Sequence, residues 1–219
     1  MKKLLLLLLL YPVLAIAADF YPGTVTLNSG TERTGWIETP EANDQELKFR
    51  TEKDGTTEKL SIDDVKKFTV KVDDGELTFY ALKPSNIKAF KKEFTTPDKK
   101  SWARMMVQGN SVSIVRLYYY TAGRQATSAN SVVPSAMSEK SYIYYYWKPE
   151  NDYCTYLFMN KAPTINTGSA AFKQIKYATE ITFGNDCPAM AEKMDKDDFK
   201  QHGFKHLVEL YEENCGSTK

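Results

Sequence analysis

The chain has 219 residues, 29 Lys and Arg against 28 Asp and Glu, 42% hydrophobic residues and 13% aromatics. Near-balanced charge argues against a protein that coats nucleic acid by bulk electrostatics, so no nucleic-acid partner is expected. A 26% charged fraction beside this aromatic content argues against disorder, and the length suffices for a real core in one domain or two small ones.

At the front, Lys2 and Lys3 precede the apolar run Leu4 to Leu10 and then Val13-Leu14, and Ala15-Ile16-Ala17 is a small-x-small cleavage pattern. This predicts a signal peptide over 1–17, cut before Ala18. The stretch is too short, and Pro12 too disruptive, for a good membrane span. No other window approaches eighteen apolar residues, so the mature chain is expected to be soluble, without a membrane span, and periplasmic or secreted. Removing the leader takes Lys2 and Lys3 with it and leaves 202 residues with a formal charge of −1.

Residues 18–82 read as a β-rich unit of short strands. Thr24–Leu27, Gly35–Thr39, Leu47–Arg50, Phe68–Val72 and Leu77–Tyr80 are separated by Asn28-Ser29-Gly30, Lys53-Asp54-Gly55 and Asp73-Asp74-Gly75. Ile62–Val65 predicts a helical turn or bend. The pattern Gly23, Val25, Leu27, Gly30, Gly35, Ile37 resembles the opening of an SH3-like or Sm-like small barrel. That likeness speaks to fold and not to activity.

Residues 83–100 carry Lys83, Lys88, Lys91, Lys92, Lys99 and Lys100 against Glu93 and Asp98. This predicts a Lys-rich connector or an edge strand through Phe90 and Phe94, where lysine discourages edge-to-edge pairing. A sharper reading has Lys88, Lys91 and Lys92 meeting an anionic polymer.

Residues 101–160 form the second β unit. Trp102–Val107 and Val112–Tyr120 flank Gly109-Asn110, a two-residue hairpin signal, and Tyr142–Trp147 and Tyr153–Met159 flank Lys148–Asp152. Between the hairpins, residues 121–141 are rich in Ser, Thr and Ala, which predicts a long mobile loop. Nine of the fourteen tyrosines fall between Tyr118 and Tyr156. Alternation obliges runs such as Tyr144-Tyr145-Tyr146 to present rings on both faces. Tyr119, Tyr142, Tyr144 and Tyr146 are therefore the candidate binding residues, a rigid amphipathic platform for a glycan or an envelope protein. Against this stands the plain β-propensity of tyrosine.

Residues 161–219 read as a helical segment. Phe172, Ile175 and Ala178 share a face, Pro188 suits a first helical turn, and Phe204, Leu207, Val208 and Tyr211 have amphipathic spacing. These helices are expected to pack on the second sheet, giving an α+β, antiparallel β-rich fold with C-terminal α-helices. In an oxidising compartment three cysteines allow one internal pair. Cys187 opens one helical segment and Cys215 closes the next, which favours a Cys187–Cys215 disulfide. Cys154, in a strand-like run, reads as a buried thiol.

Catalytic and metal patterns are sparse. The chain has no G-x-S-x-G, H-E-x-x-H, P-loop, dinucleotide fingerprint or EF-hand. Its only histidines, His202 and His206, have helical spacing, but Gly203 breaks the helix between them and no third ligand stands nearby. No metal and no cofactor are expected, and the catalytic residues are unknown.

Several segments together resemble uncharacterised exported proteins of Bacteroidetes-type bacteria. They are Phe20-Tyr21-Pro22-Gly23, Gly35-Trp36-Ile37, Ile62–Val65, Met105–Gly109, Asp186-Cys187-Pro188 and Leu210–Cys215, where Glu212-Glu213 departs from the more usual Tyr-Asn-x-Cys ending. The resemblance implies export and no particular activity. The resulting expectation is a non-catalytic binding or scaffold module of the cell envelope or secretome that uses a Tyr-rich β surface. The alternative is a hydrolase with an unrecognised carboxylate site, which requires two converging acids in a concave pocket.

Overall fold

The computed structural model describes residues 19–88, 93–128, 131–162 and 168–216, with backbone alone over 120–128 and 131–140. The predicted leader, Phe90, Lys91 and Lys92 lie outside the described residues. The architecture is β-rich α+β: among the described residues, eleven strands in one largely antiparallel sheet are followed by four helices.

The first five strands are β1 (Phe20–Leu27), β2 (Glu32–Glu38), β3 (Glu46–Arg50), β4 (Glu58–Ser61) and β5 (Val65–Val72), in the spatial order β5-β1-β2-β3-β4. Alternation sends Val25, Ile37, Leu47, Phe49, Leu60, Phe68 and Val70 into one buried cluster. Residues 62–64 form the turn expected before β5. Gly23 and Gly35 face one another across β1 and β2. A Cβ on either would come within 2.2 Å of a carbonyl oxygen, that of Thr69 or of Arg50, so the strands can cross this closely only over glycine.

β6 (Gly75–Lys88) organises the rest. Its first half pairs with β5, and Phe79–Leu82 pair with β8 (Ser101–Val107). Lys83–Ser85 then run parallel to β11 (Tyr153–Asn160), and Asn86–Lys88 pair with the short β7 (Glu93–Thr95). Within the Lys-rich stretch, residues 83–88 are thus the far end of one long strand and Glu93–Thr95 a three-residue edge strand. Because β8 pairs with β9 (Ser113–Ser128), β9 with β10 (Ser131–Trp147) and β10 with β11, the parallel β6–β11 contact closes these five strands into a ring.

Two expectations change here. The loop predicted over 121–141 is strand backbone: β9 runs on to Ser128 and β10 starts at Ser131. Ser, Thr and Ala do not resist extended backbone, and each strand supplies the other's hydrogen-bond partners. Pro134, which lacks a donor, marks a break in the ladder. The turn at Gly109-Asn110 is part of a five-residue loop, 108–112. Gly109 is required there for close approach, since a Cβ would meet the Val112 carbonyl at 2.2 Å and Val208 Cγ1 at 2.6 Å.

The ring interior holds Leu82, Ala103, Val115, Leu117, Tyr145, Trp147 and Cys154. Against its outer face pack α1 (Ser169–Phe183), α2 (Pro188–Glu192), α3 (Lys196–His202) and α4 (Phe204–Cys215). Ile175, Phe183, Met190, Phe199, Leu207 and Tyr211 bury with Ile114, Tyr144, Tyr146 and Phe158 in a single cluster. Pro188 takes the first turn of α2, and the Asp195 carboxylate caps α3 by accepting from the N–H groups of Asp197 and Asp198. Cys187 and Cys215 stand at disulfide distance with Cα atoms 5.8 Å apart, tying the start of α2 to the end of α4. No helix among the described residues is long and apolar enough to cross a membrane.

Glu212 locks α4 to the 108–112 loop. Its Oε1 accepts from the backbone N–H of Ser111 at 2.6 Å and of Val112 at 3.3 Å, and Oε2 accepts from Ser111 Oγ at 3.0 Å. The pair Glu212-Glu213, a departure from the resembled ending, therefore has a structural use at its first position.

Candidate functional site

The register of the ring sorts the tyrosines. Tyr142 lies opposite Tyr118, Tyr144 opposite Arg116 and Tyr146 opposite Ile114, while Tyr119 lies opposite Ser141. Directly opposed residues share a face. Tyr142, Tyr144 and Tyr146 are therefore outside the ring with Tyr118, and Tyr119 points inside with Tyr145. The four candidate tyrosines do not form one platform.

Burial divides them further. Tyr144 and Tyr146 are 1% and 2% exposed, roofed by the helices; Tyr144 packs on Phe204 and Tyr146 on Phe183. Tyr146 also shares a 2.9 Å hydrogen bond with the Thr179 hydroxyl. Both are core residues. Tyr119 belongs to the aromatic filling of the ring, where burial raises its hydroxyl pKa while a hydrogen bond from Ser101 pulls it down. Tyr142 alone of the four keeps an accessible edge on the outer face.

Around Tyr142 the outer face has a distinctive composition. One cross-strand row reads Phe79, Arg104, Arg116, Tyr144, Phe158 over five adjacent strands. The next row contains Tyr118, Tyr142 and Asn160. Phe79 leans on the N-terminal core, and Tyr144 and Phe158 belong to the helical core. The two arginines thus occupy the seam between two packed apolar regions. Tyr118 and Tyr142 lie with ring centroids 5.1 Å apart, and the Arg116 guanidinium carbon sits 5.1 Å from the centre of the Tyr142 ring. That is a cation–π arrangement, with the guanidinium over the aromatic face.

Arg104 has no such support. Its Nε is buried and has no hydrogen-bond partner. Burial lowers its pKa first and the Arg116 charge second, with Tyr144 acting the other way. Among the described residues, no carboxylate forms an ion pair with either arginine. A β-bulge at Met106, where β8 slips register against β9, follows one residue pair further on. The arrangement offers two guanidinium groups and two adjacent, mutually tilted phenol rings on a sheet, suited to holding an acidic ligand with an apolar face.

Elsewhere a concavity of about 470 Å³ lies where β6 and β11 meet α1. Ser85, Thr96, Thr155, Thr182, Tyr153, Lys148, Glu150 and Asp186 line it, with Tyr146 at its wall. Lys148 lies 3.4 Å from Asp186 and 5.6 to 5.8 Å from the ring centres of Tyr211 and Phe183. Burial lowers the Lys148 pKa, but Tyr211 and Asp186 outweigh it and leave the ammonium raised above its ordinary value. An ammonium so stabilised is a poor general base. Asp186 is engaged by that ammonium, so the cleft does not present two acids left to work as a pair.

The remaining candidates resolve simply. Gly203 (φ 59°) separates α3 from α4, so His202 and His206 belong to different helices. No group of three or more potential metal ligands occurs among the described residues. Cys154 is fully buried in the ring, where desolvation pushes its thiol pKa well up. Residues Arg104 and Arg116 escaped notice in the sequence because nothing local links two arginines twelve positions apart. The accurate β8–β9 register is the signal that would have found them. No protein-family model, no curated protein and no solved structure matches this chain.

Proposed function

We propose that the chain is an exported, non-catalytic binding module of the cell envelope or secretome whose contact surface is the outer face of the second sheet around Tyr142. One observation carries this reading. Tyr118 and Tyr142 lie side by side with Arg116 over the Tyr142 ring, at the margin of the helical core where both rings stay partly exposed. Flat phenol faces suit the C–H surfaces of a sugar ring, and the arginines suit its acidic substituents, so a glycan is the favoured ligand. The Lys2-Lys3 leader with its Ala15-Ile16-Ala17 cut supports export. The order β5-β1-β2-β3-β4 supports a small-barrel reading of the N-terminal unit.

The test is an array of neutral and acidic polysaccharides probed with the mature wild-type chain and with Tyr142→Ala. The reading expects binding to a subset of acidic glycans, weakened about tenfold by the substitution, since a lost ring contact of about 1.4 kcal/mol is a factor of ten. Binding that is unchanged in Tyr142→Ala, or no glycan binding at all, defeats it. Retention on an envelope protein alone would transfer the surface to that class of partner.

A further inference from the structure

Like charges placed directly opposite on neighbouring strands repel. Arg104 and Arg116 are such a pair, aligned across β8 and β9. Residues in register on an antiparallel pair have Cα atoms about 5 Å apart. Stacking on Tyr142 accounts for where the Arg116 side chain lies. Nothing comparable accounts for Arg104, whose Nε–H is out of water and unpaired. A buried donor without an acceptor is a cost that a folded protein ordinarily avoids. Trp102, two residues earlier on the same face of β8, has a buried indole N–H in the same condition. Two unpaired buried N–H groups on one face of β8, that of Arg104 beside a second guanidinium on β9, are donors lacking an acceptor.

We infer that Arg104 and Arg116 form an oxyanion site, in which the carboxylate, sulfate or phosphate group of a ligand supplies the missing acceptor and separates the two positive charges. The inference rests on the proposed binding face and names the ligand's chemical class. Arg104 donates through its Nε–H edge and Arg116 through the guanidinium that lies over Tyr142. A bound oxyanion turns the repulsion between them into two attractions. The seam position serves this purpose, because the apolar packing on either side lowers the local dielectric and strengthens a charge-assisted hydrogen bond.

The experiment titrates the mature full-length protein with inorganic phosphate, sulfate or acetate at constant ionic strength, with chloride as the balancing salt. Two readouts are followed: the Arg104 Nε–H resonance in nitrogen-15 spectra and the thermal midpoint. The inference expects a saturable shift of that resonance in the millimolar range and a midpoint that rises with the anion. Response to acetate alone identifies the source as a carboxylate, and response to phosphate or sulfate alone identifies a tetrahedral group. In Arg104→Met and Arg116→Gln the affinity falls at least tenfold. Both variants are at least as stable as wild type in chloride, because each relieves the repulsion.

If neither variant folds, the wild-type resonance decides by itself. Absence of a saturable shift in wild type overturns the inference, as does an anion response that persists in both variants. Tyr142-dependent glycan binding that survives such a failure leaves the binding-face reading intact; loss of both removes the reading beneath it.

Discussion

Glu212 provides a quantitative test of how the helical layer is held on the sheet. Replacing it with alanine removes three acceptances and leaves the Ser111 and Val112 N–H groups without their partner. Hydrogen bonds to a charged group contribute roughly 1.5–3 kcal/mol each when buried, but this carboxylate is only partly shielded, so about 1 kcal/mol each is appropriate. Glu212→Ala should therefore cost about 2–3 kcal/mol, and Glu212→Gln, which keeps one oxygen, about 1 kcal/mol. For a chain of this size that corresponds to a midpoint lowered by roughly 4–12 °C in the alanine variant. Calorimetry or urea unfolding of the oxidised protein measures it.

The pH dependence has a definite sign. Burial alone would raise the Glu212 pKa, but the Ser111 N–H and hydroxyl and the Val112 and Asn110 N–H groups outweigh it and hold the carboxyl below its ordinary range. A lowered folded-state pKa contributes stability that is complete above the unfolded value, near pH 4.3, and is lost as pH falls through the folded one. The gap between wild type and Glu212→Gln should accordingly be full at pH 7 and narrow below about pH 4.3. A Glu212→Ala variant as stable as wild type, or a gap that persists at pH 2, would refute the reasoning.

Other consequences are direct. The Cys187–Cys215 pair is 28 positions apart in sequence, so a double Ser variant should lose about 3–4 kcal/mol by urea unfolding, and unreduced mass spectrometry should find that bridge. Gly109→Ala should lower stability by about 1–3 kcal/mol, since the new methyl collides with the Val112 carbonyl and Val208. Cys154 should resist aqueous thiol reagents at pH 8 in the native state and react fully in denaturant; rapid native labelling would contradict its burial. N-terminal sequencing of protein recovered after export should begin at Ala18, and a retained Met1 would contradict the leader assignment.

Alternation made most of the sheet legible. Val25, Phe68 and Val70, or Leu47 and Phe49, announce their strands by apolar residues two apart, and Phe204–Tyr211 announces α4 by its helical spacing. β4 was missed because Leu60 is its only apolar residue, so no alternation exists to read. The site failed on register. A two-residue turn at Gly109-Asn110 would place Arg104 opposite Val115, whereas the five-residue loop places it opposite Arg116. One position of slip moves every side chain to the other face, and alternation within a strand does not reveal that Tyr118, not Tyr119, lies opposite Tyr142. Burial of Tyr144 and Tyr146 depends on where the helices dock, and no residue pattern within the strands records that.

The measurement closest to the central claim is a calorimetric titration with a sulfated or uronate-bearing oligosaccharide, comparing wild type, Tyr142→Ala, Arg116→Gln and the double variant. The account predicts saturable binding by wild type, about a tenfold loss in each single variant, and a double-variant loss smaller than the product of the two, because the Arg116 fork and the Tyr142 ring act as one unit. Affinities equal in all four proteins, or strictly independent losses, would contradict it.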